Sequence, residues 1–263
     1  MKSSLKITFA IITFLRVAVV HGQISPPGLD GAKMVSWGAI GFNQKISSRI
    51  STTIYIGGSE QSDPINFSAL KKPAVFVLNQ ETLFQFNKSW QTAFGASVRL
   101  QDLYQKEAPY TSEEPAYRKE TRYYLRLFFK REYRKTTFTY SFRPEYRVFF
   151  TPDGDPWPTP LQVRLRLKAQ INIPVNTSKS NQIIVANEWL TATSKNSQSQ
   201  WSTLEFTEDR LSTFFRHTFH KPSVFLDVGL MHQFWRNEEK NFEYTTYLSF
   251  DLLFQNPFGK RSH

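Results

Sequence analysis

The stretch from Leu161 to Ile173 constrains the fold more than any other, because its apolar and polar residues alternate without a break. The odd-numbered residues are all apolar, and the even-numbered residues are Gln, Asn, Arg or Lys. Side chains with a period of two indicate a β-strand, here with one apolar and one cationic face. The stretch has thirteen residues, whereas a strand of a soluble protein usually has about 5 to 6 residues. A tilted strand needs about 9 to 11 residues to cross a bilayer. The stretch therefore predicts one strand of a transmembrane barrel.

The same alternation recurs in other segments, most clearly from Trp90 to Leu100 and from Thr136 to Val148. About eleven such segments can be traced, and short turns alternate with longer polar loops between them, as in outer-membrane barrels. Because bacterial barrels normally have an even number of strands, we expect an all-β, transmembrane, antiparallel up-and-down β-barrel of about 12 strands. The twelfth strand would precede Met34. Ten strands would result if the glycine-rich segment from Met34 to Phe42 were not a full strand.

The N-terminus has the pattern of a secretory signal peptide. Lys2 and Lys6 precede an apolar run, and small residues end at Gly22. The alternative is an N-terminal membrane anchor. Cleavage of this signal peptide, together with the predicted barrel, would place the mature protein in an outer membrane. The expected organisation is a signal peptide over residues 1–22, an N-terminal segment in the lumen or periplasm over 23–33, the outer-membrane β-barrel over 34–258 and a C-terminal tail over 259–263.

Alternation alone does not decide which face points inward, since soluble sandwiches and lipocalin-like barrels also alternate. Aromatic residues make up 16 % of the chain, and cysteine is absent. Girdles of aromatic side chains mark the two membrane interfaces of transmembrane barrels. We therefore favour the membrane barrel over a secreted soluble β-protein. The expected membrane-interface aromatics are Trp90, Trp189, Trp235 and Phe254.

Cations are concentrated on the polar faces of three consecutive predicted strands. The expected basic wall of the lumen consists of Arg99, Arg118, Arg122, Arg126, Lys130, Arg143, Arg147, Arg164, Arg166 and Lys168. The expected acidic partners are Glu81, Glu120, Glu145, Glu188, Asp227, Glu243 and Asp251. Strands lie about 4.8 Å apart, so neighbouring cations repel unless they are paired or hydrated. The wall either lines a path for anionic solutes or fills the lumen with ion-pair networks.

Catalytic chemistry has little support in the sequence. A nucleophile needs a base within reach, and no motif connects His217, His220 or His232 with a serine, although Ser212 and Ser249 lie on strands next to that of His232. The acids of Asp153-Gly154-Asp155 are typical of a turn. We expect no enzyme activity, no cofactor and no metal site.

Several short motifs resemble one known family. They are NQETLF (Asn79 to Phe84), NKSW (Asn87 to Trp90), RYYLRLFFKREYR (Arg122 to Arg134), FRPEYR (Phe142 to Arg147), ANEWL (Ala186 to Leu190) and EDRL (Glu208 to Leu211). In this order the chain, from Val35 to Phe254, resembles the bacterial outer-membrane family named domain of unknown function 2490. The resemblance implies a Gram-negative outer-membrane barrel and brings no activity or catalytic residues. Assembly signals usually end on a terminal aromatic, whereas here Phe258 is followed by five more residues, so Phe254 or Phe258 is the expected anchor.

The leading functional expectation is passage of small, preferably anionic solutes through a basic lumen. The alternatives are a structural or accessory subunit of an outer-membrane complex and, behind it, a lipid-modifying outer-membrane enzyme. Expected partners are outer-membrane lipids, the barrel-assembly machinery and small anionic solutes. Nucleic acid is not expected, because the basic wall would be enclosed by the barrel.

Overall fold

The chain forms eleven β-strands in a computed structural model that describes residues 26, 28–29, 31–236 and 241–259. The expected signal peptide and residues 260–263 of the expected tail lie outside these residues. No helix in the described part of the chain is long and apolar enough to cross a membrane. The strands are β1 (Met34–Lys45), β2 (Ile50–Gln61), β3 (Lys72–Gln85), β4 (Trp90–Tyr104), β5 (Ser112–Tyr133), β6 (Thr136–Phe150), β7 (Pro156–Pro174), β8 (Asn181–Lys195), β9 (Glu205–His220), β10 (Ser223–Arg236) and β11 (Phe242–Gln255).

The strands close into one barrel, which confirms the all-β barrel expected from the alternation. Each strand pairs antiparallel with the next, and β1 pairs parallel with β11 to form a seam that joins, for example, Met34 to Thr246. The eleven strands lie within the expected range of ten to twelve, although their number is odd rather than even. The glycine-rich first segment is a full strand, and the described residues before Met34 form no twelfth strand, because their main chain bonds to side chains inside the barrel.

The apolar faces of the strands point outward and the polar faces point inward. On β7, Leu167 is 55 % exposed, whereas its neighbour Arg166 is 5 % exposed. A soluble protein buries its apolar face, so this barrel is inverted with respect to a soluble one. The connections also differ between the two ends. Residues 62–71, 105–111, 151–155 and 196–204 lie at one end, here the long-loop rim, and residues 46–49, 86–89, 134–135, 175–180 and 221–222 lie at the other, the short-turn rim.

The interior has an apolar side and a charged side. Leu29, Val35, Trp37, Met231 and Tyr247 belong to a buried apolar cluster next to the seam. The opposite side, from β4 to β9, carries most of the buried charges. The described residues before Met34 therefore pack against the apolar side and face the charged one.

Gly95 on β4 allows a large side chain to lie flat inside the barrel. The ring of Tyr124, on the adjacent strand β5, covers Gly95, and a Cβ atom at that glycine would lie 2.2 Å from the ring. The Tyr124 hydroxyl donates a hydrogen bond to Oδ1 of Asn79 at 3.1 Å. The missing side chain at residue 95 thus fixes the position of a buried aromatic ring.

Candidate functional site in the lumen

Glu120 on β5 is the centre of a first group of ion pairs. Its carboxylate accepts hydrogen bonds from Arg122 at 2.7 and 2.9 Å and from Arg147 at 2.7 and 2.8 Å. Arg99 approaches the same carboxylate to 3.9 Å. Cross-strand register produces this group, since Arg99 pairs with Glu120 and Arg122 pairs with Arg147. All four side chains are buried, and a buried carboxylate requires such partners.

Glu145 on β6 is the centre of a second group. Its oxygens lie 2.7 Å from Nε of Arg143, 2.7 Å from Nε of Arg166 and 3.8 Å from Nε of Arg122. The guanidinium of Arg143 also lies 3.6 Å from the centroid of the Tyr124 ring, which is a cation–π contact. Because Arg122 contacts both Glu120 and Glu145, the two groups form one continuous cluster.

Glu188 and Glu208 extend the cluster to β8 and β9. Oε2 of Glu188 lies 3.4 Å from Arg166 and 3.4 Å from Arg210, and Glu208 accepts from Arg210 at 2.9 Å and from Arg164 at 3.0 Å. A further pair joins Arg126 to Glu81 at 3.3 Å. We call this set the lumen network: Arg99, Arg122, Arg126, Arg143, Arg147, Arg164, Arg166, Arg210, Glu81, Glu120, Glu145, Glu188 and Glu208.

The lumen network carries a net positive charge. Within the described residues it joins eight arginines to five glutamates. Guanidinium groups keep their proton in proteins, so the excess charge is not removed by proton loss. The charged side of the lumen therefore favours anions over cations.

The described residues between Pro26 and Ala32, here the lumen segment, lie inside the barrel against this network. Arg210 donates to the Pro26 carbonyl at 3.2 Å, and Arg99 donates to the Gly28 carbonyl at 2.9 Å. A Cβ atom at Gly28 would lie 2.5 Å from Oε2 of Glu208 and 2.6 Å from Nη2 of Arg210. Only a glycine fits this position without displacing the ion pair.

The lumen segment is also bound to the strands near the seam. The Leu29 amide donates to the Tyr247 hydroxyl at 2.6 Å and to Oε1 of Gln233 at 3.1 Å. Thr245 donates to the carbonyls of Leu29 at 3.3 Å and of Ala32 at 2.8 Å. The segment therefore connects the charged side of the lumen to the apolar side.

Two cavities flank the lumen network. The deep cavity, on the side of the short-turn rim, has a volume of about 90 Å³ and is lined by Tyr55 and Lys168, among others. The vestibule, at the long-loop rim, has a volume of about 810 Å³ and is lined by Gln101 and Arg164, among others. Arg99 lines both cavities. The network and the lumen segment thus separate a wide outer cavity from a narrow inner one.

The structure places the expected cations at several depths. Seven of the ten belong to the lumen network. Of the other three, Arg118 donates a hydrogen bond to Gln101 at 3.1 Å, and Lys168 lines the deep cavity. Lys130 lies 3.6 Å from Glu132, near the short-turn rim.

The expected acids also occupy distinct places. Glu81, Glu120, Glu145 and Glu188 belong to the network. Asp227 binds Arg216 at 2.6 and 2.7 Å, Asp251 accepts from Trp37 at 2.9 Å, and Glu243 lines a separate cavity at the long-loop rim.

One expected interface aromatic is placed differently. Trp235 lies on the inner face of β10 with Met231 and Gln233 and lines the vestibule, so it does not face a membrane. Its position at the end of a strand suggested an interface, but the side-chain parity of β10 points it inward. Trp90 and Trp189 are 43 % and 58 % exposed on the outer face, and Phe254 shares that face with exposed Phe250.

Sequence reasoning did not include the β9 charges in the site. Glu208, Arg210 and Arg216 alternate with Leu211 and Phe215 along β9, and all three face the lumen. The signal that could have found them is the same period of two that marks Leu161 to Ile173.

Among the described residues, His217 and His232 bond to groups other than Ser212 and Ser249. Nδ1 of His232 lies 3.1 Å from the Thr246 hydroxyl on the outer face, whereas Ser212 and Ser249 are buried on the inner face. Nδ1 of His217 lies 2.6 Å from Oδ1 of Asn181. In the part of the chain that the structure describes, no group of three or more His, Asp or Glu could hold a metal ion.

Comparison with known sequences gives one family match. The sequence profile of the family described as "Protein of unknown function (DUF2490)" matches residues 34–243. A search of curated proteins found no match. The matched range begins at the first residue of β1 and includes the whole lumen network, but it excludes the lumen segment.

Proposed function

The chain belongs to the DUF2490 family, whose description assigns no activity, and we therefore propose a function from the barrel itself. We propose that the protein is an outer-membrane barrel of a Gram-negative bacterium that passes small anionic solutes, and that the lumen segment closes it in the arrangement described above. Outer-membrane lipids and the barrel-assembly machinery would be its partners.

The inverted distribution of apolar residues supports the membrane location. Exposed aromatic and aliphatic side chains cover the outer face. Examples are Phe94, Leu125, Leu167 and Phe250, whose exposed fractions are 53 %, 56 %, 55 % and 51 %. An exposed apolar surface of this extent is costly in water and is stabilised by lipid. Long loops at one rim and short turns at the other agree with the usual outer-membrane arrangement.

The net positive charge of the lumen network is the observation that carries the preference for anions. Eight arginines and five glutamates line the described lumen between two cavities, so an anion that enters would meet excess positive charge along its path. The lumen segment blocks that path with hydrogen bonds that each contribute about 0.5 to 1.5 kcal/mol. The free energy needed to displace the segment is therefore comparable with the free energy of binding a ligand.

Conductance in planar bilayers tests this proposal. The wild-type protein should conduct weakly, and Gly28→Phe should conduct more because the ring does not fit beside Glu208 and Arg210. Gly38→Phe is the matched control, since a Cβ atom there would meet only the Phe250 carbonyl, at 3.9 Å. Replacing Arg164 and Lys168 with glutamine in the Gly28→Phe protein should shift the reversal potential toward zero.

Two results would overturn the proposal. If neither the wild type nor Gly28→Phe conducts, the passage of solutes is wrong. The filled lumen then favours the second candidate, a closed structural or accessory subunit of an outer-membrane complex. Heat-modifiable migration on a gel tests the membrane location separately, because a soluble barrel should show none.

A further inference from the structure

The vestibule combines cations and aromatic rings in one cavity. Arg118, Arg164 and Arg236 line it together with Phe206 and Trp235. Its volume of about 810 Å³ lies within the about 300 to 1,000 Å³ typical of small-molecule sites. The cavity therefore has the size and the mixed lining of a ligand site.

Each of the three arginines contacts the barrel. The guanidinium of Arg118 lies 4.7 Å from the centroid of Phe149, and that of Arg236 lies 4.9 Å from the centroid of Phe242. Arg164 donates from Nη1 to Glu208 at 3.0 Å, which uses one of its five N–H donors. Cations that are already positioned lose little conformational entropy when they bind a ligand.

The acids of the vestibule do not cancel these cations. Glu208 is shared between Arg164 and Arg210, and Glu205 is exposed and accepts a hydrogen bond from Thr203 at 2.9 Å. The lining includes five arginines and these two glutamates. The electrostatic preference of the cavity is therefore for an anionic group.

The aromatic walls select for more than charge. Phe206 and Trp235 are half-buried at the cavity and offer apolar surface beside the arginines. An inorganic ion would use the cations but would leave these rings in contact with water, whereas a planar apolar body would cover them. The two kinds of surface together define an amphipathic ligand.

We propose that the vestibule binds a small organic anion that carries a carboxylate on a planar apolar body, with Arg164 and Arg236 as its charge partners. This inference rests on the proposed function, because the site would be the entry station of the solute. It adds the chemical class of that solute, which the net charge of the lumen does not specify.

Calorimetric titration of the purified protein in detergent with benzoate tests the site. Benzyl alcohol is the neutral probe with the same ring, and chloride is the anion without an apolar body. Benzoate should bind, and Arg164→Gln should weaken its binding by about tenfold or more, as expected for loss of a charge-assisted hydrogen bond. Arg236→Gln is a second variant, whose side chain is exposed and lies outside the buried lumen network. Lys88→Gln, in the exposed turn between β3 and β4, removes one charge outside the cavity and should leave the affinity unchanged.

Three results would overturn the site: benzoate does not bind the wild type, benzyl alcohol binds as tightly as benzoate, or both arginine variants keep the wild-type affinity. Calorimetry tests the binding site and conductance tests the passage of solutes, so the two proposals can be rejected separately. Binding that depends on Arg164 without any conductance keeps the site and removes the passage of solutes. Anion-selective conductance without benzoate binding does the reverse.

Discussion

Replacing Glu145 with glutamine should destabilise the barrel more than the loss of a single exposed negative charge. The side chain of Glu145 is completely buried and is contacted by Arg143, Arg166 and Arg122 at 2.7, 2.7 and 3.8 Å. The amide has nearly the same shape as the carboxylate, so the change removes the charge and leaves the packing almost intact. It leaves three guanidinium groups facing a neutral acceptor.

The magnitude follows from what each arginine retains. A pair of unit charges 4 Å apart attracts by about 4 kcal/mol at an effective dielectric constant of about 20, and much of that attraction offsets desolvation. Arg122 keeps Glu120, and Arg166 keeps Glu188, whereas Arg143 keeps the cation–π contact with the Tyr124 ring. We therefore expect the loss typical of one broken buried ion pair, about 3 to 5 kcal/mol, rather than a multiple of it.

Urea-dependent unfolding in lipid vesicles measures this loss. Glu132→Gln is the matched control, because the Glu132 side chain is 62 % exposed and lies 3.6 Å from Lys130. An exposed ion pair of this kind contributes at most about 1 kcal/mol. If Glu145→Gln loses no more free energy of unfolding than Glu132→Gln, the lumen network does not hold the barrel together as described.

Two further predictions concern a loop and a glycine. The hydrogen bond from Lys71 lowers the pKa of Asp63, in the loop between β2 and β3, to about 2, so this stabilisation is complete above about pH 4 and is lost as the pH falls toward 2. Proteolysis of the loop should accelerate over that interval in the wild type, while Asp63→Asn should be cleaved at one rate throughout. Gly95→Ala should lower stability by about 1 to 3 kcal/mol, because the new methyl group overlaps the Tyr124 ring. The midpoint of heat-modifiable migration should fall accordingly, and an unchanged midpoint would contradict the close approach of that ring.

Side-chain alternation was sufficient to predict the barrel, but it did not predict how the first and last strands pair. The period of two identified the long strands and the polar inner faces, since each strand carries its own pattern. The strand number depends on how the first and last strands meet, and that is a contact between residues about 200 positions apart, such as Met34 and Thr246. Neither strand contains a local signal for a parallel partner, and we applied the even-number rule of bacterial barrels instead.

The charges of the site were predictable, while their arrangement was not. Arg164 and Arg166 are cationic residues on an inner face in any register, so the sequence identifies them. Whether Arg166 meets Glu145 or Glu188 depends on the register of three strands. The lumen segment has no alternation, and its position depends on main-chain hydrogen bonds to Arg99 and Tyr247 that no residue pattern encodes.

The parallel seam also constrains the order in which the barrel assembles. Every other strand pair can form from a hairpin, but β1 and β11 must find each other across the whole chain, so their pairing bears the largest loop-closure entropy. The lumen segment is joined directly to β1, and Leu29 and Ala32 bond to Tyr247 and Thr245 on β11. The lumen segment therefore bridges the two edges of the seam, since it is covalently joined to β1 and hydrogen-bonded to β11. The residues that fill the lumen thus also connect the two strands of the barrel's parallel pair.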